Sequence, residues 1–246
     1  NQTPAQAKEA FRSLENFTGF PEPLFAASQT RLRRWRRAHH DLVLREDLRD
    51  LTRIRDIGLI ESLVDLLPER VGSPLSLNSL REDLNVALAT VAGWISALER
   101  LYFLFELRPY AGRLARTLRR EGKMYLYEHS SIVNEAARFE NMVALHLLKL
   151  CNVWNDFGFG DFDLYYVRDK EKREVDFLVT QEKRPYILVE AKISEQNVAP
   201  SLVYFKERFR PKHAFQIVRD MPATGLAKHK DGIILVAAPR FFSVLP

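Results

Sequence analysis

Three charged residues lie within two short apolar runs of the sequence. Asp176 belongs to residues 175–180, and Glu190 and Lys192 belong to residues 186–193. Both runs are rich in Val, Ile, Leu and Phe and are separated by the segment QEKRP, so they predict a β-hairpin. Because side chains alternate along a strand, Glu190 and Lys192 are expected on one face. A carboxylate in such a strand costs roughly several kcal/mol unless an ion-pair partner or a metal compensates it.

These residue types predict metal-assisted phosphodiester hydrolysis. Asp176 and Glu190 supply the hard oxygen ligands that Mg²⁺ or Mn²⁺ prefers. Such a cation lowers the pKa of a bound water. Lys192 is expected to orient that water or to neutralise the charge that develops on a phosphate. Glu140, on the helix that precedes the sheet, is the predicted third metal ligand.

A purely structural interpretation accounts for the same residues. Glu190 and Lys192 would form an ordinary ion pair on a partly exposed strand, and Arg168 or Arg173 would hold Asp176. An exposed pair of this kind contributes at most about 1 kcal/mol to stability. Convergence of Asp176 with the other two residues from a neighbouring strand favours the metal-binding interpretation.

The elements around the hairpin predict a compact α/β domain. A helix begins at Glu135, because the apolar residues after it recur at helical spacing. The remaining predicted elements are strands at 162–168, 214–220 and 232–238 and a helix at 199–209. The order of helix, three strands, helix and two strands predicts an α/β fold with a mixed sheet.

The first half of the chain predicts helices and then a winged helix-turn-helix. Helices are expected at 4–16 and, with irregular spacing, over 29–58, with Gly58 as the end of the second. Three short helices, a strand, a basic segment and a second strand follow, which is the order of a winged helix. No internal repeat is present.

Basic clusters indicate nucleic acid as a partner. The chain carries a net charge of +5 with a pI near 9.3, and its basic residues are dense at 31–40 and 113–123. The expected recognition helix exposes Thr90, Gly93, Ser96, Ala97 and Arg100, too few hydrogen-bonding side chains for base readout. The predicted DNA contacts are therefore in the wing: Arg113, Arg116, Arg119, Arg120 and Lys123.

Length and composition limit the class of protein. The 246 residues are 46% apolar, which suffices for a globular protein with one large core or several small ones. One cysteine excludes an intrachain disulfide. No run approaches the roughly 18 apolar residues of a membrane span, and no signal peptide opens the chain. A cytoplasmic protein is expected, and the first residue, Asn1, favours a piece of a longer chain.

The segment EVDFLV contains Asp176, and thirteen residues separate Asp176 from Glu190, which begins the segment EAK. This pattern resembles the motif of the PD-(D/E)XK nuclease superfamily. Asp176, Glu190 and Lys192 occupy its motif positions, and Glu140 occupies its frequent helix position. The wider chain is similar to the C-terminal half of a bacterial and archaeal AAA+ ATPase family. The shared segments, in order, are GFPEP, REDLRDL, the winged-helix region, KMYLY, RFENMVALHLL, EVDF and VEAK. Glu128 stands where that family usually has an aspartate.

The resemblance implies three regions and a partner. Residues 1–58 would be the end of the ATPase lid, 59–124 a winged helix, and 125–246 a nuclease-like domain of the restriction-endonuclease type. The partner would be the AAA+ core of the full-length protein, with an oligomer implied by the family. The phosphate-binding pattern G-x-x-x-x-G-K-[ST] is absent from the sequence, so ATP would bind only to a region outside this chain.

Two functions are consistent with these features. The first is a Mg²⁺-dependent DNA endonuclease centred on Asp176, Glu190 and Lys192. The second is a non-catalytic module that binds DNA or a protein and serves the ATPase core.

Overall fold

The structure is a computed structural model that describes residues 3–47, 57–110, 121–194 and 197–246. The described residues form two compact units. Residues 3–12, 107–110 and 139–246 contribute to the first, here called the sheet unit, and residues 13–47, 57–106 and 121–138 to the second, the helical unit. The three regions predicted above, 1–58, 59–124 and 125–246, stay a prediction.

The helical unit begins with three helices. These are α1 (Pro4–Phe17, whose first residues belong to the sheet unit), α2 (Pro21–Ala26) and α3 (Gln29–Asp41), followed by a π-helical turn at Leu42–Asp47. Ser28 caps α3 because its hydroxyl accepts a hydrogen bond from the Arg31 N–H. The predicted stop at Gly58 is wrong, since the next helix, α4, spans Ile57–Leu66 and places Gly58 in its first turn.

The winged-helix order is observed in the rest of the helical unit. After α4 and a short 3₁₀ turn come α5 (Leu77–Leu84), α6 (Leu88–Arg100), β1 (Leu104–Leu107) and β2 (Lys123–Leu126), and the two strands pair. Ser76 caps α5, and Asn85 ends it in a left-handed conformation that asparagine tolerates. Leu80, Val91 and Leu98 are fully buried, so these helices share one apolar core.

The sheet unit contains a helix and a six-stranded mixed sheet, which confirms the predicted α/β class. Its elements are α7 (Glu135–Asp156, from Phe139 onward), β3 (Phe162–Arg168), β4 (Glu174–Gln181), β5 (Arg184–Lys192), α8 (Pro200–Phe209), β6 (His213–Val218), β7 (Leu226–Lys228), β8 (Ile234–Ala237) and α9 (Ala238–Phe242). The strand order is β3-β4-β5-β6-β8-β7. Strands β5, β6 and β8 are parallel, and the other pairings are antiparallel.

Both faces of the central strands are buried. Ile187, Leu188, Val189 and Glu190 are all buried, as expected for a strand covered by helices on two sides. Leu188 packs with Leu202 and Phe205 of α8 in one apolar cluster. At the N-terminal end of the chain, the ring of Phe11 contacts those of Phe139 and Phe242, at 6.2 and 5.4 Å between centroids. A residue from α1 thereby completes the core of the sheet unit.

A two-residue turn joins β4 and β5, and the register shifts once beyond it, between Val179 and Thr180. Gln181 pairs with Arg184, and the turn residues Glu182 and Lys183 have φ values of 50° and 61°. Positive φ at both positions matches the twist of a hairpin and favours Asn-Gly rather than Glu-Lys. The Glu182 side chain compensates locally, since its Oε1 accepts a hydrogen bond from the Asp161 N–H at 3.0 Å.

Lys183→Gly is expected to stabilise the protein by about 0.5 kcal/mol, because glycine removes the left-handed strain of Lys183. Arg184→Gly is the control, since it places glycine at the next residue in strand β5, where it should cost about 0.5–1 kcal/mol. Urea unfolding of both variants measures the change. Equal destabilisation by the two substitutions would contradict the strain at Lys183.

Candidate functional site

The side chains of Asp176 and Glu190 each bind the backbone of the opposite strand where the regular pairing of β4 and β5 ends. The regular ladder runs to the pair Phe177 and Val189. One residue further, the Asp176 Oδ2 accepts a hydrogen bond from the Ala191 N–H at 2.9 Å. In return, the Glu190 Oε2 accepts one from the Asp176 N–H at 3.4 Å. Two carboxylates thus take the place of backbone carbonyls as acceptors. We call this reciprocal pair of hydrogen bonds the carboxylate clasp.

Lys192 pairs with Glu190 on the same face of β5, as the strand alternation predicts. Its Nζ lies 3.0 Å from the Glu190 Oε1. The Glu190 side chain is 6% exposed and that of Lys192 is 32% exposed. The two oxygens of Glu190 therefore have different partners, the ammonium on one side and the backbone of β4 on the other.

The alternative partners of Asp176 form ion pairs elsewhere. Arg168 lies 3.5 Å from Glu174, and the Arg173 Nε lies 2.7 Å from Asp169. The Arg173 guanidinium also stacks over the ring of Tyr204, 3.8 Å from its centroid. Both the carboxylate and the N–H of Asp176 have hydrogen bonds with β5. The clasp, rather than Arg173, is the local structure that positions this carboxylate.

Burial raises the pKa of Glu190 above its ordinary value near 4.5. The positive charge of Lys192 and the hydrogen bonds from Lys192 and the Asp176 backbone oppose that rise, and the negative charge of Glu140 adds to it. Desolvation is the largest of these effects, so the net shift is upward. A second positive charge close to Glu190 would stabilise its ionised form.

Glu140 lies near enough to influence Glu190 but does not complete a ligand cluster. In the part of the chain that the structure describes, no three His, Cys, Asp or Glu side chains are placed to hold one metal ion. The predicted set of Asp176, Glu190 and Glu140 is therefore not assembled as a three-ligand group among those residues. Asp176 and Glu190 are two carboxylate donors on neighbouring strands. Their oxygen atoms are the type of ligand that Mg²⁺ or Mn²⁺ prefers, but either ion takes more ligands than these two residues provide.

Gln216 is a site residue that the sequence reasoning missed. It pairs with Glu190 in the β5–β6 register and is fully buried. Its Nε2 donates to the Asn197 carbonyl and its Oε1 accepts from the Ala199 N–H, both at 2.8 Å. These bonds tie the segment before α8 to the strand beside the clasp. A glutamine inside the apolar run AFQIV is the signal that could have revealed it.

The predicted DNA contacts of the wing have mixed outcomes. Arg113, Arg116, Arg119 and Arg120 lie outside the described residues. Lys123 requires a correction, because it is only 2% exposed at the start of β2 and its ammonium is not available to a phosphate. On α6, Ala97 is buried at 3% exposure and belongs to the core rather than to the exposed face predicted for it.

Two family models match the chain. Residues 8–142 match a domain of unknown function, DUF8612, which covers more than half of the sequence. The chain belongs to the DUF8612 family. Residues 136–239 of this DUF8612 chain match a second domain of unknown function, DUF4143, which is found in C-terminal regions associated with AAA ATPases. The clasp and Lys192 lie within the DUF4143 match.

Two further comparisons give no match. Neither a curated protein nor a solved structure is significantly similar to this DUF8612 chain. Among the described residues, no helix has the length and apolar character needed to cross a membrane.

Glu190→Gln is expected to flatten the pH dependence of stability. A raised pKa means that the folded state holds more protons than the unfolded state above about pH 4.5, so wild-type stability falls as the pH rises through that range. Glutamine keeps the acceptor for the Asp176 N–H but cannot ionise. The free energy of unfolding should therefore fall less steeply with pH in the variant, as measured by urea titration at each pH. Parallel profiles would contradict the raised pKa.

Proposed function

We propose that this chain is the C-terminal part of an AAA+-associated protein whose sheet unit is a nuclease-like domain that acts on DNA. The carboxylate clasp carries the proposal. Two acidic side chains on neighbouring strands are fixed by backbone hydrogen bonds, with a lysine two residues after the second. Metal-assisted hydrolysis of a phosphodiester uses acidic metal ligands and a positive charge beside the phosphate, and these three residues would supply them.

Asp176 and Glu190 would hold the Mg²⁺ or Mn²⁺ ion, with Glu140 as a further acidic neighbour. When bound, the metal supplies an activated water and charge stabilisation at the phosphate. The buried position of Glu190 favours such an ion, because a dication would offset the desolvation that raises the pKa of this carboxyl group.

Lys192 would stabilise the negative charge that develops on the phosphate. Its side chain is the more exposed partner of the ion pair with Glu190, at 32% against 6%, so it is the one on the solvent side of the pair. A lysine on a flexible stem can also orient a water for attack. The hydrogen bond from the Ala191 N–H to Asp176 fixes β5 between Glu190 and Lys192, and so restricts the positions of these two side chains.

The DNA partner is proposed from charge. The net charge of +5 and the basic wing, with Arg113, Arg116, Arg119 and Arg120, favour a polyanion. ATP hydrolysis is not proposed for this chain, because its sequence lacks the phosphate-binding loop. The match to DUF4143 supports a place beside an AAA+ core, which would provide that activity.

The second candidate is a non-catalytic module that binds DNA or a protein and serves the ATPase core. One observation favours it: the described residues assemble no three-ligand metal group around the clasp. In that case the Glu190–Lys192 pair and the clasp are structural, and the fold alone does not determine activity.

Asp176→Asn and Lys192→Met are expected to reduce metal-dependent DNA cleavage by about 100-fold or more, because one removes a metal ligand and the other the neutralising charge. Asparagine retains an acceptor for the Ala191 N–H, which separates chemistry from folding. Lys149→Met, at an exposed lysine on α7, is the matched control and should cleave normally. Labelled linear, branched and single-stranded DNA are assayed with Mg²⁺, Mn²⁺ or EDTA. Absence of cleavage by the wild type in every condition supports the non-catalytic module.

Metal binding has a readout that does not depend on activity. Mg²⁺ or Mn²⁺ should raise the thermal unfolding midpoint of the wild type, since a ligand that binds only the folded state stabilises it. The shift should be lost in Glu190→Gln and in Asp176→Asn and retained in Lys149→Met. A shift of equal size in all four proteins would mean that the ions bind elsewhere.

A further inference from the structure

The helical unit contains a polar pocket of about 270 Å³. It lies between the end of α1, one face of α3, the segment after β2 and the first turn of α7. Its lining residues are Glu15, Asn16, Gln29, Leu32, Arg33, Arg36, Ser130 and Arg138. All of these belong to the helical unit, and the proposed function uses none of them.

Positive charge dominates this pocket. Three guanidinium groups face a single carboxylate, that of Glu15. Arg33 and Arg36 are three residues apart on α3, so both side chains project from one face of the helix. Within the described part of the chain, neither Arg33 nor Arg36 has an ion pair or a hydrogen bond with another side chain. Two arginines that line one pocket and have no carboxylate partner among the described residues are expected to attract an anion.

Two buried polar atoms of the lining are also unsatisfied. The Ser130 Oγ and the Arg138 Nε are inaccessible to solvent and have no hydrogen-bond partner among the described residues. The neighbouring groups do have partners. The Ser130 N–H donates to the Glu128 carboxylate at 2.6 Å, and the Arg138 Nη1 donates to the Ile132 carbonyl at 3.1 Å. Arg138 is therefore held in place by its Nη1, and its positive charge lies at the lining of the pocket.

We propose that this pocket binds a phosphate group. Phosphate offers several acceptor oxygens in a tetrahedral array, which can accept from the guanidinium groups of Arg33 and Arg36, while the positive charge of Arg138 adds to the attraction. Arginine is the residue best suited to this recognition because its planar donors match phosphate geometry and its charge is permanent. A volume of about 270 Å³ admits a phosphate group with a few waters, since each water takes about 30 Å³.

Several kinds of molecule carry a phosphate group that this pocket could bind. A free phosphate ion, the terminal phosphate of a nucleotide and the 5′-phosphate of an oligonucleotide all present this group. A phosphate within a duplex backbone carries a bulky substituent on each side, which a pocket of this size does not accommodate. The proposal does not rest on the clasp, so either one can fail without the other.

Calorimetric titration of the full chain with inorganic phosphate, at constant ionic strength in chloride, tests the site. Arg33→Gln and Arg36→Gln should each weaken binding about tenfold, the loss expected for a charge-assisted hydrogen bond. Arg37→Gln is the matched control, because Arg37 is an exposed arginine on the same helix and does not line the pocket.

Three results would support or overturn the site. Binding that depends on Arg33 and Arg36 but not on Arg37 supports it. No heat of binding at millimolar phosphate, or equal weakening by Arg37→Gln and Arg33→Gln, overturns it. A nucleoside triphosphate and an oligonucleotide with or without a 5′-phosphate are titrated next. If one of these ligands binds more tightly than inorganic phosphate, with the same dependence on Arg33, it identifies the source of the phosphate. An affinity equal to that of inorganic phosphate identifies the free ion as the ligand.

Discussion

The carboxylate of Glu190 lies in the middle of an apolar sheet, and the local structure of the sheet unit is arranged around it. Glu190 accepts from the Asp176 backbone and pairs with Lys192, while Asp176 accepts from Ala191. On its other side, Glu190 is in register with Gln216, whose amide binds the segment that leads to α8. The buried carboxylate of Glu190 thus joins β5 to β4, and the strand on its other side, β6, is tied to the start of a helix by Gln216. Removing the carboxylate would disturb the junction of β4 and β5.

The turn of the β4–β5 hairpin, at Glu182 and Lys183, lies at the opposite end of the two strands from the clasp. Between this turn and the clasp the register of β4 and β5 shifts once, between Val179 and Thr180. A further shift of one residue would move every side chain to the opposite face. Asp176 and Glu190 oppose each other only in the observed register. The turn residues adopt positive φ values that their types do not favour, so long-range packing of the strands, rather than turn preference, maintains this register.

Much of the sheet unit could be predicted from sequence because its strands are strongly apolar. The predicted strand 162–168 coincides with β3, and the predicted runs of β4 and β5 differ from the observed bounds by one or two residues. Strand β7 was missed because its three residues are all exposed and show no apolar pattern. Helix α9 was missed because its five residues directly follow the apolar strand β8.

Pairing of charges within a strand was predictable, and interactions across strands were only partly so. Alternation placed Glu190 beside Lys192, but no local pattern indicates that carboxylates would replace backbone carbonyls as acceptors. The burial of Lys123 and Ala97 was likewise not predictable, since it depends on packing by residues distant in sequence. The role of Gln216 was not predictable for the same reason, because its amide binds residues 17 and 19 positions away in the sequence.

The contact of Phe11 with Phe139 and Phe242 determines when the sheet unit can be completed during synthesis. The ring of Phe11 cannot meet that of Phe242 until the whole intervening sequence has left the ribosome. Closing so long a loop is slow, whereas the β4–β5 hairpin needs only neighbouring residues. The carboxylate clasp can therefore form early, and the N-terminal ring docks last. A segment cut from the chain at residue 125 would lack Phe11 and would expose two phenylalanine rings to water.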